Sequence, residues 1–442
     1  INHILFNGVC GAMAGFCKPT RILKPNKQSP QIMKIKTLLL GVAGLGLGLT
    51  AQAQTTTVDI VGATAFRSAA HTAIMNSFTS VTGYAHSGTT GNAGKASKAT
   101  YKGTFPGITG TTVIRVSWTG SVEGVRSLAS SSALADTFIP DSSVTTGESA
   151  GVTATVTGSK TAVLAFSDVA QVNTPFKTPA LKGGPVGVIA FAPVINKGAE
   201  AEITNVTSHQ LRRLLTNGTI PESMLTGNTT SNGTIYLTGR NDGSGTRVAF
   251  LAETGHGAAN PVKQYVINAQ TSITTLATPV LAPTTINATV YGANYALSTD
   301  FAKTAVLGNG GYNSGGAIAN WMKLPSNGDY NIISWLGASD AITAYSSGSG
   351  GRVLSYNGEK LDGVAAGAWT DADRNKIRLG KYSAWTFENL FYKPTLSATS
   401  AGKKVYDALV AAIPANIGTA GVANDSSFKV TRTTDGGVIA PK

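Results

Sequence analysis

The chain has 442 residues, with 35 Lys and Arg against 22 Asp and Glu, a formal net charge of +13 and only two cysteines. That length suffices for two domains with cores of their own. Charged residues make up only 13% of the chain, too few for a nucleic-acid-binding stripe, and two cysteines make no disulfide framework.

The segment Met33-Lys34-Ile35-Lys36, an apolar run from Thr37 to Leu49 and Ala51-Gln52-Ala53 reads as a signal peptide cut before Gln54. The apolar run is short and Gly-containing, unlike a membrane span. Residues 1–32 then read as upstream sequence from a misplaced start. Both cysteines, Cys10 and Cys17, lie in that stretch, so the exported part is expected to lack thiol chemistry. Six of the basic residues and none of the acidic ones fall in 1–53, which leaves +7 on residues 54–442. A moderate positive excess suits a small acidic ligand. The expected location is periplasmic or secreted.

Short β-like runs alternate with helical patterns, which predicts an α/β fold. Val58 to Val61 reads as a strand, followed by a helix with Phe66, Ala70, Ile74 and Phe78 on one face. Residues 83–111 read as a long loop. Thr112 to Trp118 reads as a second strand, feeding a helix that carries Val122, Val125 and Leu128. Residues 130–160 are polar and show little pattern. A third strand, Ala162 to Phe166, ends on Ser167-Asp168. Pro185 to Val194 is a long β run that suits a crossing between domains. Ser208 to Leu215 is amphipathic, with Asn217-Gly218 as its stop. Gly233 to Leu237 predicts a strand and Val248 to Glu253 a helix. Residues 260–330 have no readable pattern. Asn331 to Gly337 reads as a returning strand, and Trp385–Tyr392 and Lys403–Ile413 read as helices.

The most informative segment is Arg240-Asn241-Asp242-Gly243-Ser244-Gly245-Thr246-Arg247, between a strand and a helix. Small hydroxyl residues and glycines at a helix start present N–H and O–H donors to one point, where the helix dipole favours an anion. Arg240 adds a fork of donors suited to a tetrahedral oxyanion, with Asp242 as its expected brace. Two further turns share the design, Thr64-Ala65-Phe66 and Gly120-Ser121, and Asp168 closes another strand. In an open α/β sheet such turns gather beyond the carboxyl ends of the strands. Asp168 suits phosphate in particular. Phosphate retains a proton near neutral pH, which a carboxylate accepts, whereas sulfate has none to give.

The ordered set Gly62-Ala63-Thr64-Ala65-Phe66, Thr119-Gly120-Ser121-Val122-Glu123-Gly124, Phe166-Ser167-Asp168 and Arg240-x-Asp-x-Ser-Gly-Thr246 resembles the phosphate-binding protein of the high-affinity phosphate ABC transporter. Leu211 to Pro221 and Gly380 to Trp385 resemble further stretches of that family. The resemblance covers most of 58–395. It implies a two-lobed periplasmic-binding-protein fold of type II with a ligand cleft between the lobes. Lobe I would comprise 55–183 plus 332–442, and lobe II 184–331. It also implies phosphate contacts from Arg240, Ser244, Gly245 and Thr246 in one lobe and from Ser121 and Asp168 in the other. Thr64 and the backbone N–H groups of Ala65 and Phe66 complete the expected set. Ala65 stands where the family has a hydroxyl residue, and Glu123 where it has Gly.

The implied function is binding of inorganic phosphate for delivery to an ABC permease in the inner membrane, with no enzymatic activity, cofactor, metal or nucleic acid. The histidines His71, His86, His209 and His256 lack metal-ligand spacing. Gly91-Asn92-Ala93-Gly94-Lys95-Ala96 lacks the Ser/Thr of a phosphate loop. A binding module for another oxyanion or a phosphorylated compound, a secreted structural or adhesive protein, and a secreted phosphatase are the rival readings.

Overall fold

The computed structural model describes residues 54–129, 136–158, 162–258, 260–267, 274–283, 307–326 and 329–442. The expected signal peptide and the segment before it lie outside the described residues.

A twelve-stranded sheet organises the chain. Its strands are β1 (Thr55–Gly62), β2 (Ser80–His86), β3 (Lys98–Thr104), β4 (Thr111–Ser117), β5 (Gly147–Ser149), β6 (Leu164–Ser167), β7 (Lys182–Ile195), β8 (Thr219–Pro221), β9 (Thr234–Leu237), β10 (Tyr330–Gly337), β11 (Arg352–Val353) and β12 (Trp385–Tyr392). The order across the sheet is β8-β9-β10-β7-β12-β6-β1-β4-β3-β2-β5, with β11 also on β7. The principal helices are α1 (Arg67–Ser77), α2 (Ser121–Ala129), α3 (Ser208–Asn217), α4 (Gly245–Glu253), α5 (Gly315–Met322), α6 (Ala338–Tyr345), α7 (Asp371–Arg378) and α8 (Ala401–Asn416).

The sheet has two parallel regions joined by an antiparallel centre. β1 runs parallel to both β4 and β6, and β9 runs parallel to β10. Between them β7 pairs antiparallel with β12 over Lys182–Ala190 and with β10 over Phe191–Ile195. β7 thus carries the chain from one parallel region to the other. Parallel pairs need helical crossovers, and these leave strand-to-helix turns at the carboxyl ends of the strands. β1 delivers Thr64–Phe66 to α1, β4 delivers Gly120 to α2, and β9 delivers Arg240–Ser244 to α4.

The apolar face expected for α1 is realised. Phe66, Ala70 and Ile74 are fully buried, and Phe66 packs against Phe166 of β6 with ring centroids 5.4 Å apart. Burying one such side chain contributes about 1.5–3 kcal/mol. The ends of α3 follow its sequence. Thr207 and Gln210 form a capping box, and Gly218 ends the helix with φ of +81°.

Two expectations are corrected. Trp385–Tyr392 is a strand, not a helix. It lies between β6 and β7 and is buried on both faces, so it lacks the alternation that marks a half-exposed strand. Residues 83–111 are not a loop. β2 and β3 form an antiparallel pair there, with Tyr84 opposite Tyr101. Their Gly, Ser, Thr and Lys content masks the few apolar residues that face the core.

Candidate functional site

The turns from both parallel regions meet. Thr64, Ser121, Asp168, Arg240, Asp242, Ser244 and Thr246 are all buried, as are Phe66 and Gly245, and Ala65 is half-buried. Asp168 is the hub. Ser121 Oγ donates a short hydrogen bond to its Oδ1, and Thr246 Oγ1 donates to its Oδ2 over 3.3 Å. The backbone N–H of Asp168 returns a bond of 3.1 Å to Ser121 Oγ, and Thr386 Oγ1 donates to the Asp168 carbonyl. Residues 121 and 168 come from the first parallel region and 246 from the second, so the cluster spans both.

Close backbone approach makes this possible. A Cβ on Gly245 would overlap Asp168 Oδ1 and lie 2.6 Å from Ser121 Oγ. Gly120, at φ of +113°, packs on the carbonyl of Gly243, and Val122 N–H donates to that same carbonyl over 3.1 Å. Only glycine suits both the conformation and the space at residue 120.

Arg240 forms the second bridge. Its Nη1 donates to Thr64 Oγ1 over 3.2 Å. Its Nε donates to the Tyr312 carbonyl over 3.2 Å, and its Nη2 to the Asn313 carbonyl over 3.0 Å. These two carbonyls hold the guanidinium at Nε and Nη2. Backbone acceptors carry no residue-type signature, so no sequence signal pointed to them.

The electrostatics follow from burial. Burial pushes the Asp168 carboxyl above its ordinary range, while the Ser121 bond, the charge of Arg240 and the Thr246 bond pull it back. Burial also lowers Arg240 to about 10, against the attraction of Asp340 and Asp168, and Arg67 adds to the lowering. A buried cation held mainly by neutral carbonyls and a hydroxyl retains a strong demand for a negative partner.

Ser244 caps α4, its side chain accepting from Arg247 N–H over 3.3 Å. Its hydroxyl hydrogen stays available, because the cap uses only the oxygen as acceptor. Glu123 is tied to Arg126, Nε to Oε2 at 2.6 Å, which screens its charge from the cluster. Glu388 of β12 was not singled out from the sequence. It is fully buried and no hydrogen bond of ordinary geometry reaches its carboxylate oxygens. Burial raises it well above the usual carboxylate range, Asp168 raises it further, and the Ser167 N–H lowers it. Among the described residues no group of His, Cys, Asp and Glu is arranged to hold a metal ion. None of the described helices is long and apolar enough to cross a membrane.

No family model matches the chain, and no curated protein matches it. Solved structures do resemble it. One, from Clostridium perfringens, is assigned as a phosphate ABC transporter substrate-binding protein and was solved with bound phosphate. It is 14% identical, with 82% of this chain and 98% of that one covered and a TM-score of 0.43. An ABC-type phosphate transport receptor from Vibrio cholerae is 13% identical, covering 82% and 97%, with a TM-score of 0.41. PstS from Borrelia burgdorferi is 12% identical, covering 83% and 98%, with a TM-score of 0.37.

Proposed function

We propose that this protein is a periplasmic solute-binding protein that holds inorganic phosphate between two lobes, 55–183 plus 332–442 and 184–331, and hands it to an ABC permease. The observation that carries the reading is the buried meeting of Arg240, Thr64, Ser121, Thr246 and Asp168 from both parallel regions. Arg240 supplies charge and directional donors, and Thr64, Ser121, Ser244 and Thr246 supply hydroxyls. The N–H groups that open α1 and α4 add further donors, including those at Ala65, Phe66 and Gly245. Asp242 completes the set beside Arg240.

The hydroxyls of Ser121 and Thr246 each carry one hydrogen, and both hydrogens are directed at Asp168. In this reading phosphate enters as the lobes part, takes those donors, and gives its own proton to Asp168 as acceptor. A proton-free tetrahedral dianion would face the carboxylate without that bond, and a site built around a ligand O–H rejects the analogue lacking it by roughly 10⁴–10⁵. Micromolar binding requires about 8 kcal/mol, within reach of several charge-assisted hydrogen bonds at about 1.5–3 kcal/mol each. No step breaks a covalent bond, so the reading is one of binding without catalysis.

Calorimetry on purified protein stripped of bound ligand tests this. Phosphate should bind at micromolar Kd or tighter, arsenate should compete, and sulfate should not. A folded, stripped protein that ignores phosphate would overturn the reading.

A further inference from the structure

Glu388 of β12 stands at the same end of the sheet as the cradle. Two neighbours on its strand fix its place. Thr386 Oγ1 donates to the Asp168 carbonyl, and Asn389, opposite Ser167 in the register, donates from Nδ2 to the Ser167 carbonyl over 3.2 Å. Glu388 therefore lies alongside the Ser167–Asp168 end of β6. It is fully buried, and neither of its carboxyl oxygens has a hydrogen-bond partner of ordinary geometry. Asp168 is buried as well, so two carboxyl groups sit together out of water.

Their surroundings decide which of the two is charged. Asp168 receives bonds from Ser121 and Thr246 and feels the charge of Arg240. Donors and a cation favour the carboxylate form. Glu388 has no comparable support. Opposite it on β7 is Gly187, which offers no side chain, and the space a Cβ would take there is filled by Ile417, just past α8, and by Phe66. Asp168 is the charged group that acts on Glu388, and Arg240 and Asp435 lie beyond it, each coupled to Asp168. Ionisable side chains on the neighbouring helices are engaged elsewhere: Arg67 with Asp340 and His71 with Tyr101 on α1, Glu123 with Arg126 on α2, and Lys403 with Asp407 on α8. Two neighbouring carboxyl groups in a low dielectric do not both ionise near neutral pH. The proton therefore rests on Glu388, and Asp168 keeps its charge.

We propose that Glu388 holds the one proton of a carboxyl pair with Asp168, and that this proton sets the charge of the phosphate site. With it in place, Asp168 alone faces the ligand O–H. Once it is lost, a second negative charge stands beside Asp168 and phosphate is held more weakly. The inference rests on the phosphate reading of the cradle. Glu388 acts through Asp168 without touching the ligand. By reciprocity, bound phosphate and the Glu388 proton strengthen each other by the same factor.

The test is calorimetric titration with orthophosphate from about pH 5.5 to about pH 9.5 at constant ionic strength, on the purified, stripped protein and on Glu388→Gln. Glu388→Met supplies a second uncharged side chain of similar length, should the buried amide prevent folding. Each affinity is read as the ratio of variant to parent at one pH, so that titration of phosphate itself cancels. At the acid end the ratio should lie within twofold of one, which also reports that the variant is folded. At the alkaline end the variant should bind at least fivefold more tightly than the parent. A ratio that stays constant across the range, or falls as pH rises, overturns the inference while binding by the parent leaves the phosphate reading standing. If the folded parent binds no orthophosphate at any pH, both fall.

Discussion

The two parallel regions bring opposite chemistry to one place. The first, around β1, β4 and β6, contributes an acceptor, Asp168, with Ser121 and Thr64 beside it. The second, around β9 and β10, contributes a cation, Arg240, and the donors Ser244 and Thr246. Each region satisfies the other in part: Thr246 bonds Asp168, and Arg240 bonds Thr64. A ligand with both acceptor oxygens and a proton complements the pair better than either region alone. The comparison also explains why the contact surfaces carry glycine at 120, 243 and 245, where side chains would hold the regions apart.

Breaking the cationic side should have the largest effect. Arg240→Ala removes the charge and three donors, and phosphate affinity should fall by about 10²-fold or more in calorimetry, as expected for a desolvated charge-assisted partner. Closing the gap with one methyl comes next. Gly245→Ala places a Cβ onto Asp168 Oδ1, so phosphate binding should weaken by about tenfold or more. Overpacking should cost about 1–3 kcal/mol in chemical denaturation.

Changing the acceptor sharpens the comparison by altering selectivity. Asp168→Asn replaces an acceptor-only carboxylate by an amide that also donates, and the preference for phosphate over sulfate should narrow at least tenfold in competition titrations. Thr64→Val removes one hydroxyl acceptor from Arg240, and phosphate affinity should drop by about fivefold, the equivalent of about 1 kcal/mol.

The smallest effect concerns pH. Burial raises the Glu388 carboxyl above its unfolded value, so the folded state holds that proton more tightly. Its contribution to stability is fully present below the ordinary Glu range and is lost as pH rises from that range through the raised folded value. Glu388→Gln cannot ionise. Thermal melts from pH 4 to 8 should therefore show a flatter decline for the variant, with its largest gain over the parent protein at the alkaline end.

The turns that meet around Asp168 are more legible in the sequence than the sheet that carries them. Hydroxyl-and-glycine turns announce a helix start wherever they follow an apolar β run, so Thr64, Ser121 and Arg240–Thr246 were found from local pattern. Trp385–Tyr392 was misread because a strand buried on both faces loses its period-two signature. The β2–β3 pair was hidden by its Gly and Ser content. Tyr312 and Asn313 hold Arg240 through backbone carbonyls, and Asp340 meets Arg67 across 273 positions of sequence. Those contacts arise from topology, and no short window contains them.

The most direct measurement is a calorimetric titration of stripped protein with phosphate, run in parallel on Arg240→Ala. Micromolar or tighter binding that Arg240→Ala weakens by about 10²-fold would support a phosphate cradle shared by both parallel regions. Absence of binding to the folded protein, or binding that Arg240→Ala leaves unchanged, would contradict it.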